Sequence, residues 1–184
     1  ENYISKRVGS VGTVASNSAT SSLHLACLAL DIGPGDVVWT APVSFVASAN
    51  TPLMCGAEVD FVDVELDTGN LCITSLEQKI KLAKAKNKLP KALIVVHFSG
   101  RPCRMLEIYN ICNEHGIKII EDAAHALGSN QGQHPTGFCD NSDITVFSLH
   151  PAKIITSAEG GLATSQNRKL LDRMRLLSSH GVCR

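Results

Sequence analysis

The chain has 184 residues, with 17 Lys+Arg against 17 Asp+Glu and a formal net charge of +0. Hydrophobic residues make up 44% and charged residues 18%, which suits one buried core and excludes a disordered chain. The balanced charge lacks the basic excess of a nucleic-acid binder, and no apolar run reaches the roughly 18 residues of a membrane span.

Short β-branched runs alternate with longer helical stretches. In chain order the pattern predicts a strand at Gly12–Ser16, a helix at Ala19–Leu30, a strand at Asp36–Thr40 and a helix at Ser44–Cys55. A strand at Glu58–Val62, a helix at Thr74–Asn87, a strand at Lys91–Val96 and a helix at Arg104–His115 follow. Strands at Lys118–Glu121, Asp143–Ser148 and Gly161–Thr164 precede a last helix at Asn167–Ser178. The run Leu93-Ile94-Val95-Val96 is apolar on both faces, as a strand is when helices cover both sides of a parallel sheet. The expectation is an α/β layered fold, built as one domain over residues 1–184.

Turn residues punctuate this series. Gly33-Pro34-Gly35-Asp36 is expected to stop the first long helix, and Gly116 to stop another. Thr74 stands three residues before Glu77, the spacing of a capping box. The Lys-rich stretch Lys79–Lys91 carries Leu and Ala at helical spacing and reads as a solvated helix face. The seven cysteines, Cys27, Cys55, Cys72, Cys103, Cys112, Cys139 and Cys183, form no C-x-x-C pair. Neither a metal site nor a disulfide framework is expected, and such thiols suit a reducing cytoplasm. No secretory leader opens the chain, and it begins at Glu1 without an initiator Met, so its start is expected upstream.

Three stretches carry chemistry. After the first strand, Asn17-Ser18-Ala19-Thr20-Ser21-Ser22 has neither the glycine fingerprint of a dinucleotide site nor a Walker A loop. A hydroxyl-rich loop opening a helix offers free backbone N–H groups and a positive dipole end for a phosphate monoester, although ordinary capping produces the same pattern. Second, Glu121-Asp122 closes an apolar strand, where open α/β sheets bind ligands. A half-buried carboxylate there needs a cationic partner, and a protonated pyridine nitrogen is one. Third, Phe147-Ser148-Leu149-His150-Pro151-Ala152-Lys153 ends a strand in a Ser and places a single Lys among small and apolar residues, Ile154 and Ile155 included. Lys is the amine for Schiff-base chemistry. Phosphate donors, an acid for a ring nitrogen and an amine for an aldehyde together match pyridoxal 5'-phosphate.

The chain resembles the large domain of the DegT family of nucleotide-sugar aminotransferases, of aspartate-aminotransferase fold type I. The matching blocks are Asn17–His24, Pro42–Asn50, Glu121–Ala126, Phe147–Lys153, Glu159-Gly160-Gly161 and Ser179-His180-Gly181. Asn17–Leu28 and Ser178–Val182 are most similar to the branch that works in pseudaminic acid biosynthesis. The resemblance implies a mainly parallel seven-stranded sheet between helices, and a pyridoxal phosphate site. It implies Lys153 as the Schiff-base amine and proton shuttle, and Asp122 as the partner of the pyridine nitrogen. Phe45 would stack on the ring, His125 would lie near the ring hydroxyl, and Ala19, Thr20 and Ser148 would bind the phosphate. The implied reaction moves an amino group from glutamate to C4 of a UDP-linked 4-keto-6-deoxy sugar, in a homodimer. Family chains continue beyond the point matching Arg184 into a small C-terminal domain. The expectation is therefore a truncated large domain lacking it, with a folded remnant that binds cofactor or dimerises without turnover as the alternative.

Overall fold

The computed structural model describes residues 1–182; the predicted free thiol Cys183 lies outside them. The elements run α1 (Asn2–Val8), β1 (Gly12–Ser16), α2 (Ala19–Ala29), β2 (Val37–Thr40), α3 (Ala47–Met54), β3 (Glu58–Phe61) and α4 (Ile73–Ala85). They continue with β4 (Ala92–Val96), a short 3-10 turn (Phe98–Gly100), α5 (Met105–Asn113), β5 (Lys118–Asp122), β6 (Asn130–Gln131) and β7 (His134–Pro135). The last are β8 (Ile144–Ser148), β9 (Gly161–Ser165) and α6 (Arg168–Ser178).

All seven predicted strands join one sheet in the order β1-β9-β8-β5-β4-β2-β3, and β6 and β7 make a separate small hairpin. β9 runs antiparallel to both of its neighbours, whereas the β8-β5-β4-β2-β3 ladders are parallel. The carboxyl ends of β1, β2, β4, β5 and β8 therefore share one rim, and β9 starts from that rim, with Gly161 paired to both Ser16 and Ser148. This rim is where an open α/β sheet receives a ligand.

Strand alternation splits the core in two. Ala92 and Ile94 pack with Leu23, Ala26, Val146, Leu171 and Met174 on the side of α2 and α6. Leu93 and Val95 pack with Trp39, Leu76, Ile108 and Ile119 on the side of α4 and α5. Ala92, Leu93, Ile94 and Val95 are each 0% exposed, which is why their sequence shows no polar face.

Several local expectations are corrected. Thr74 does not cap α4: the N-cap is Cys72 with no side-chain bond, and Thr74 already lies inside the first turn. The first long helix ends at Ala29, before Gly33, because Asp31 takes a left-handed φ of 58°. Gly33 and Asp36 instead close the next turn, the Gly33 amide donating to the Asp36 carboxylate at 2.9 Å. The third helix starts at Ala47, not Ser44. Gly116 does terminate α5: at φ 66° it lets the Ile117 amide reach back to the Cys112 carbonyl at 3.0 Å. In the Lys-rich stretch, Lys79 pairs with Asp60 at 2.6 Å and stands 5.0 Å over the Trp39 ring, so it is engaged rather than merely solvated.

Candidate active site

The rim holds a cleft of about 610 Å³, and all seven predicted site residues, Ala19, Thr20, Phe45, Asp122, His125, Ser148 and Lys153, line it. The topology explains the convergence, since each follows, ends or faces a strand terminus on this rim.

One end of the cleft is the N-terminus of α2. Ser18 caps the helix by accepting from the Ser21 amide at 3.1 Å. The neighbouring hydroxyls are spent on the loop itself: Ser16 donates to the Ser18 carbonyl at 2.8 Å and Ser21 to Asn17 at 2.5 Å. Among the described residues, the Ala19 and Thr20 amides and the Thr20 hydroxyl bond to no other group. Backbone donors left open at a helix start suit an anion. Ser148 ends β8 opposite them, and its hydroxyl oxygen accepts from the His150 amide at 3.4 Å, leaving its own proton free. β9 is drawn tight against this helix start. A Cβ on Gly161 would stand 2.1 Å from the Ser18 carbonyl oxygen and 2.6 Å from the Ala19 nitrogen, so only glycine permits the approach.

Asp122 ends β5 and is buried at 6% exposure, deeper than the half-burial expected. Its two oxygens have one donor each: Ser48 Oγ at 2.6 Å on Oδ2, and the Ala124 amide at 3.2 Å on Oδ1. Among the described residues it has no ion-pair partner, so the cationic partner required by burial is not one of them. A protonated pyridine nitrogen in the cleft fits that position.

Lys153 lies in the turn after β8, its amide bonded to the His150 carbonyl at 2.9 Å. Its Nζ donates to His125 Nε2 at 2.5 Å. Burial and, next, the Lys153 ammonium hold His125 below the usual histidine range, against the opposing pull of Asp122. A neutral imidazole is the form that can accept from the amine at Nε2. The apolar neighbours Ile154 and Ile155 point to solvent at 67% and 57% exposure, so they do not bury Lys153 as their sequence positions suggest. Phe45 stands at the cleft's edge, 72% exposed, with its ring free to cover a planar ligand. His150 and Glu159, unassigned from sequence, also line the cleft and approach to 3.8 Å.

Glu121, next to Asp122, faces the opposite side of the sheet by strand alternation. It binds His97 Nε2 at 2.7 Å, Ser142 Oγ at 2.5 Å and Thr145 Oγ1 at 2.7 Å, and Gln131 closes the group. The Cys103 amide donates to His97 Nδ1, which places the ring proton on Nε2, toward Glu121. Full burial would raise the Glu121 carboxyl, but the bonds from His97, Ser142 and Thr145 outweigh it and hold it below the usual range. This buried network ties β4, β5, β8 and the β6–β7 hairpin together beneath the cleft.

The DegT/DnrJ/EryC1/StrS aminotransferase family pattern matches residues 1–184. The chain belongs to this family. DegT-family aminotransferases depend on pyridoxal phosphate. Among DegT-family relatives, the chain is 42% identical over 166 residues to the UDP-4-amino-4,6-dideoxy-N-acetyl-beta-L-altrosamine transaminase of Campylobacter jejuni, covering 90% of this chain and 42% of the relative. It is 38% identical over 175 residues to the spore coat polysaccharide biosynthesis protein SpsC of Bacillus subtilis, covering 95% and 43%. Helicobacter pylori PseC, an aminotransferase involved in the biosynthesis of pseudoaminic acid, superposes with a TM-score of 0.89 at 30% identity, covering 100% of this chain and 48% of that one. The chain thus spans less than half the length of these DegT-family relatives. The DegT cofactor fits the cleft on three counts: open amides for its phosphate, a buried carboxylate with no cationic partner among the described residues for its ring nitrogen, and an amine for its aldehyde.

Proposed function

We propose that residues 1–184 are the cofactor-holding large domain of a nucleotide-sugar aminotransferase, moving an amino group from glutamate to C4 of a UDP-4-keto-6-deoxy sugar. The observation that carries this reading is the pairing of Lys153 with His125 in the cleft that also holds Asp122. Pyridoxal 5'-phosphate, when bound, supplies an aldehyde for amines and a ring that accepts electrons as a proton leaves. Lys153 Nζ offers the reacting amine, and His125 Nε2 orients it by accepting its hydrogen bond. Asp122 holds a proton at the ring nitrogen through the acceptor sites left free on its oxygens. Ala19, Thr20 and Ser148 bind the phosphate, and Phe45 covers the ring face and excludes water.

The similarity to the altrosamine transaminase and to PseC supports a UDP-linked sugar and a role in pseudaminic acid or surface-polysaccharide synthesis. The apolar side chains Phe45, Val46, Leu53 and Met54, all more than half exposed, offer a face for a second copy in a homodimer. Among the described residues, six free thiols suit a cytoplasmic setting, and no helix is long and apolar enough to cross a membrane.

The test is an absorbance titration with pyridoxal phosphate. A visible band that forms with the wild-type chain, is absent in Lys153→Ala and bleaches on adding glutamate supports an aminotransferase. A Lys153-dependent band that glutamate leaves unchanged identifies a cofactor-binding unit without turnover. No Lys153-dependent band overturns the reading.

A further inference from the structure

We propose that Ser48 is a positioning residue of the cofactor site, its hydroxyl steered by Ser44 to hold the Asp122 carboxylate in one orientation toward the cleft. The inference rests on the pyridoxal phosphate reading above and adds to it a residue outside the seven assigned to the site. Ser48 lies in the first turn of α3, fully buried, and reaches Asp122 Oδ2 at 2.6 Å across 74 residues of sequence. That distance belongs to a charge-assisted O–H···O⁻ bond.

The proton count fixes its direction. A serine hydroxyl has one proton and two lone pairs, and an ionised carboxylate only accepts, so Ser48 donates to Asp122. Ser44 Oγ lies 2.7 Å from Ser48 Oγ and 3.0 Å from the Phe45 carbonyl oxygen; its one proton serves either, and when turned to Ser48 it fills an acceptor site there. The resulting chain runs from Ser44 at the cleft wall, through Ser48, to the buried acid, and successive bonds of this kind polarise one another. On the other oxygen, the Ala124 amide donates to Oδ1. Rotating the carboxylate would break both bonds at once. One acceptor site remains on each oxygen, and the cleft is the open side.

A second geometric fact joins this clamp to the rest of the site. Phe45 lies between Ser44 and Ser48 in the segment that starts α3, so one short stretch carries both the aromatic cover and the carboxylate clamp. Asp122 and Phe45 are thereby held in register although they belong to different layers. Hydroxyls at 44 and 48, one before α3 and one in its first turn, are the sequence signature of this device.

A double-mutant cycle on the full chain, read as pyridoxal phosphate affinity by absorbance titration, tests it. Ser48→Ala is expected to weaken binding roughly tenfold in the wild-type background and less than twofold in the Asp122→Asn background. Ser44→Ala, whose route to Asp122 runs through Ser48, is expected to weaken it roughly threefold with the same dependence on Asp122. Melting of the unliganded variants verifies the fold, and if Ser48→Ala does not fold, the Ser44→Ala cycle decides alone. Equal losses in both backgrounds would mean a packing role and overturn the proposal, as would unchanged affinity in the single variants. A wild-type chain that binds no pyridoxal phosphate would sink the cofactor reading first, and this inference with it.

Discussion

Gly161→Ala is the substitution whose consequences the structure specifies most fully. The added methyl would sit 2.1 Å from the Ser18 carbonyl oxygen, 2.3 Å from its carbon and 2.6 Å from the Ala19 nitrogen. All three are backbone atoms, so no side-chain rotation relieves the clash. β9 cannot retreat either, because Gly161 is paired to Ser16 on one side and Ser148 on the other. The start of α2 must therefore move by about 1 Å or more to restore ordinary contact. Overpacking of this kind costs about 3 kcal/mol, the upper part of its usual range, since the neighbours are main chain. For a chain of this size that loss lowers the melting midpoint by roughly 6 to 12 °C. Because the displaced atoms include the Ala19 and Thr20 amides, affinity for pyridoxal phosphate falls with it. Calorimetry and absorbance titration read the two effects. Gly116→Ala is the control: its added Cβ meets nothing within 4 Å, so only the left-handed backbone at φ 66° costs, about 1 kcal/mol. A Gly161→Ala variant that melts within about 2 °C of the wild type and binds as tightly would refute the reasoning.

Further outcomes follow from the site and the frame beneath it. Lys153→Ala removes a positive neighbour that holds His125 down, so the His125 titration midpoint read by NMR rises; Asp122→Asn removes the opposing negative charge, and the midpoint falls. Glu121→Leu strips His97, Ser142 and Thr145 of their shared acceptor and lowers stability by about 3–5 kcal/mol in urea denaturation. A loss below about 1 kcal/mol would contradict that reading of the network. Burial would raise the Asp36 carboxyl, but Lys91 and the Gly33 amide outweigh it and hold it low. Its contribution is therefore complete above the ordinary carboxylate range, near 4, and fades as the pH falls through the lowered value. Lys91→Met flattens that acid limb when denaturation midpoints are compared between neutral and acid pH.

The sheet was largely legible because both of its faces are buried. Runs such as Ala92–Val96 have no reason to carry a polar residue, and their apolar character marks them directly. What escaped is held by distant contacts. Helix α1 buries only Val8 fully, so it has no apolar stripe to read; it is tied down by Ser5 to Thr13 at 2.8 Å and by the Glu1 carboxylate to the Ala15 amide at 3.0 Å. The hairpin of β6 and β7 has strands of two residues each, too short for alternation to register. In the cleft, Asp122 and Lys153 stood out because strand ends and a lone amine have chemical meaning in sequence. Ser48 did not, since a serine among alanines in a helix reads as neutral filler until its partner 74 residues away is known. Glu121 and Asp122 are adjacent and chemically alike, and only the two-residue period of β5 sends one into a structural network and the other into the cleft. Gly161 carried a signal, a glycine pair at the start of a strand, whose reason is the close approach of α2.

The most direct measurement is borohydride reduction of the chain incubated with pyridoxal phosphate, followed by peptide mass spectrometry. The pyridoxyl mass is expected on the peptide containing Lys153, in preference to every exposed lysine, and is expected to be lost from the cleft in Lys153→Ala. Label spread evenly over surface lysines, with Lys153 unmodified, would contradict it.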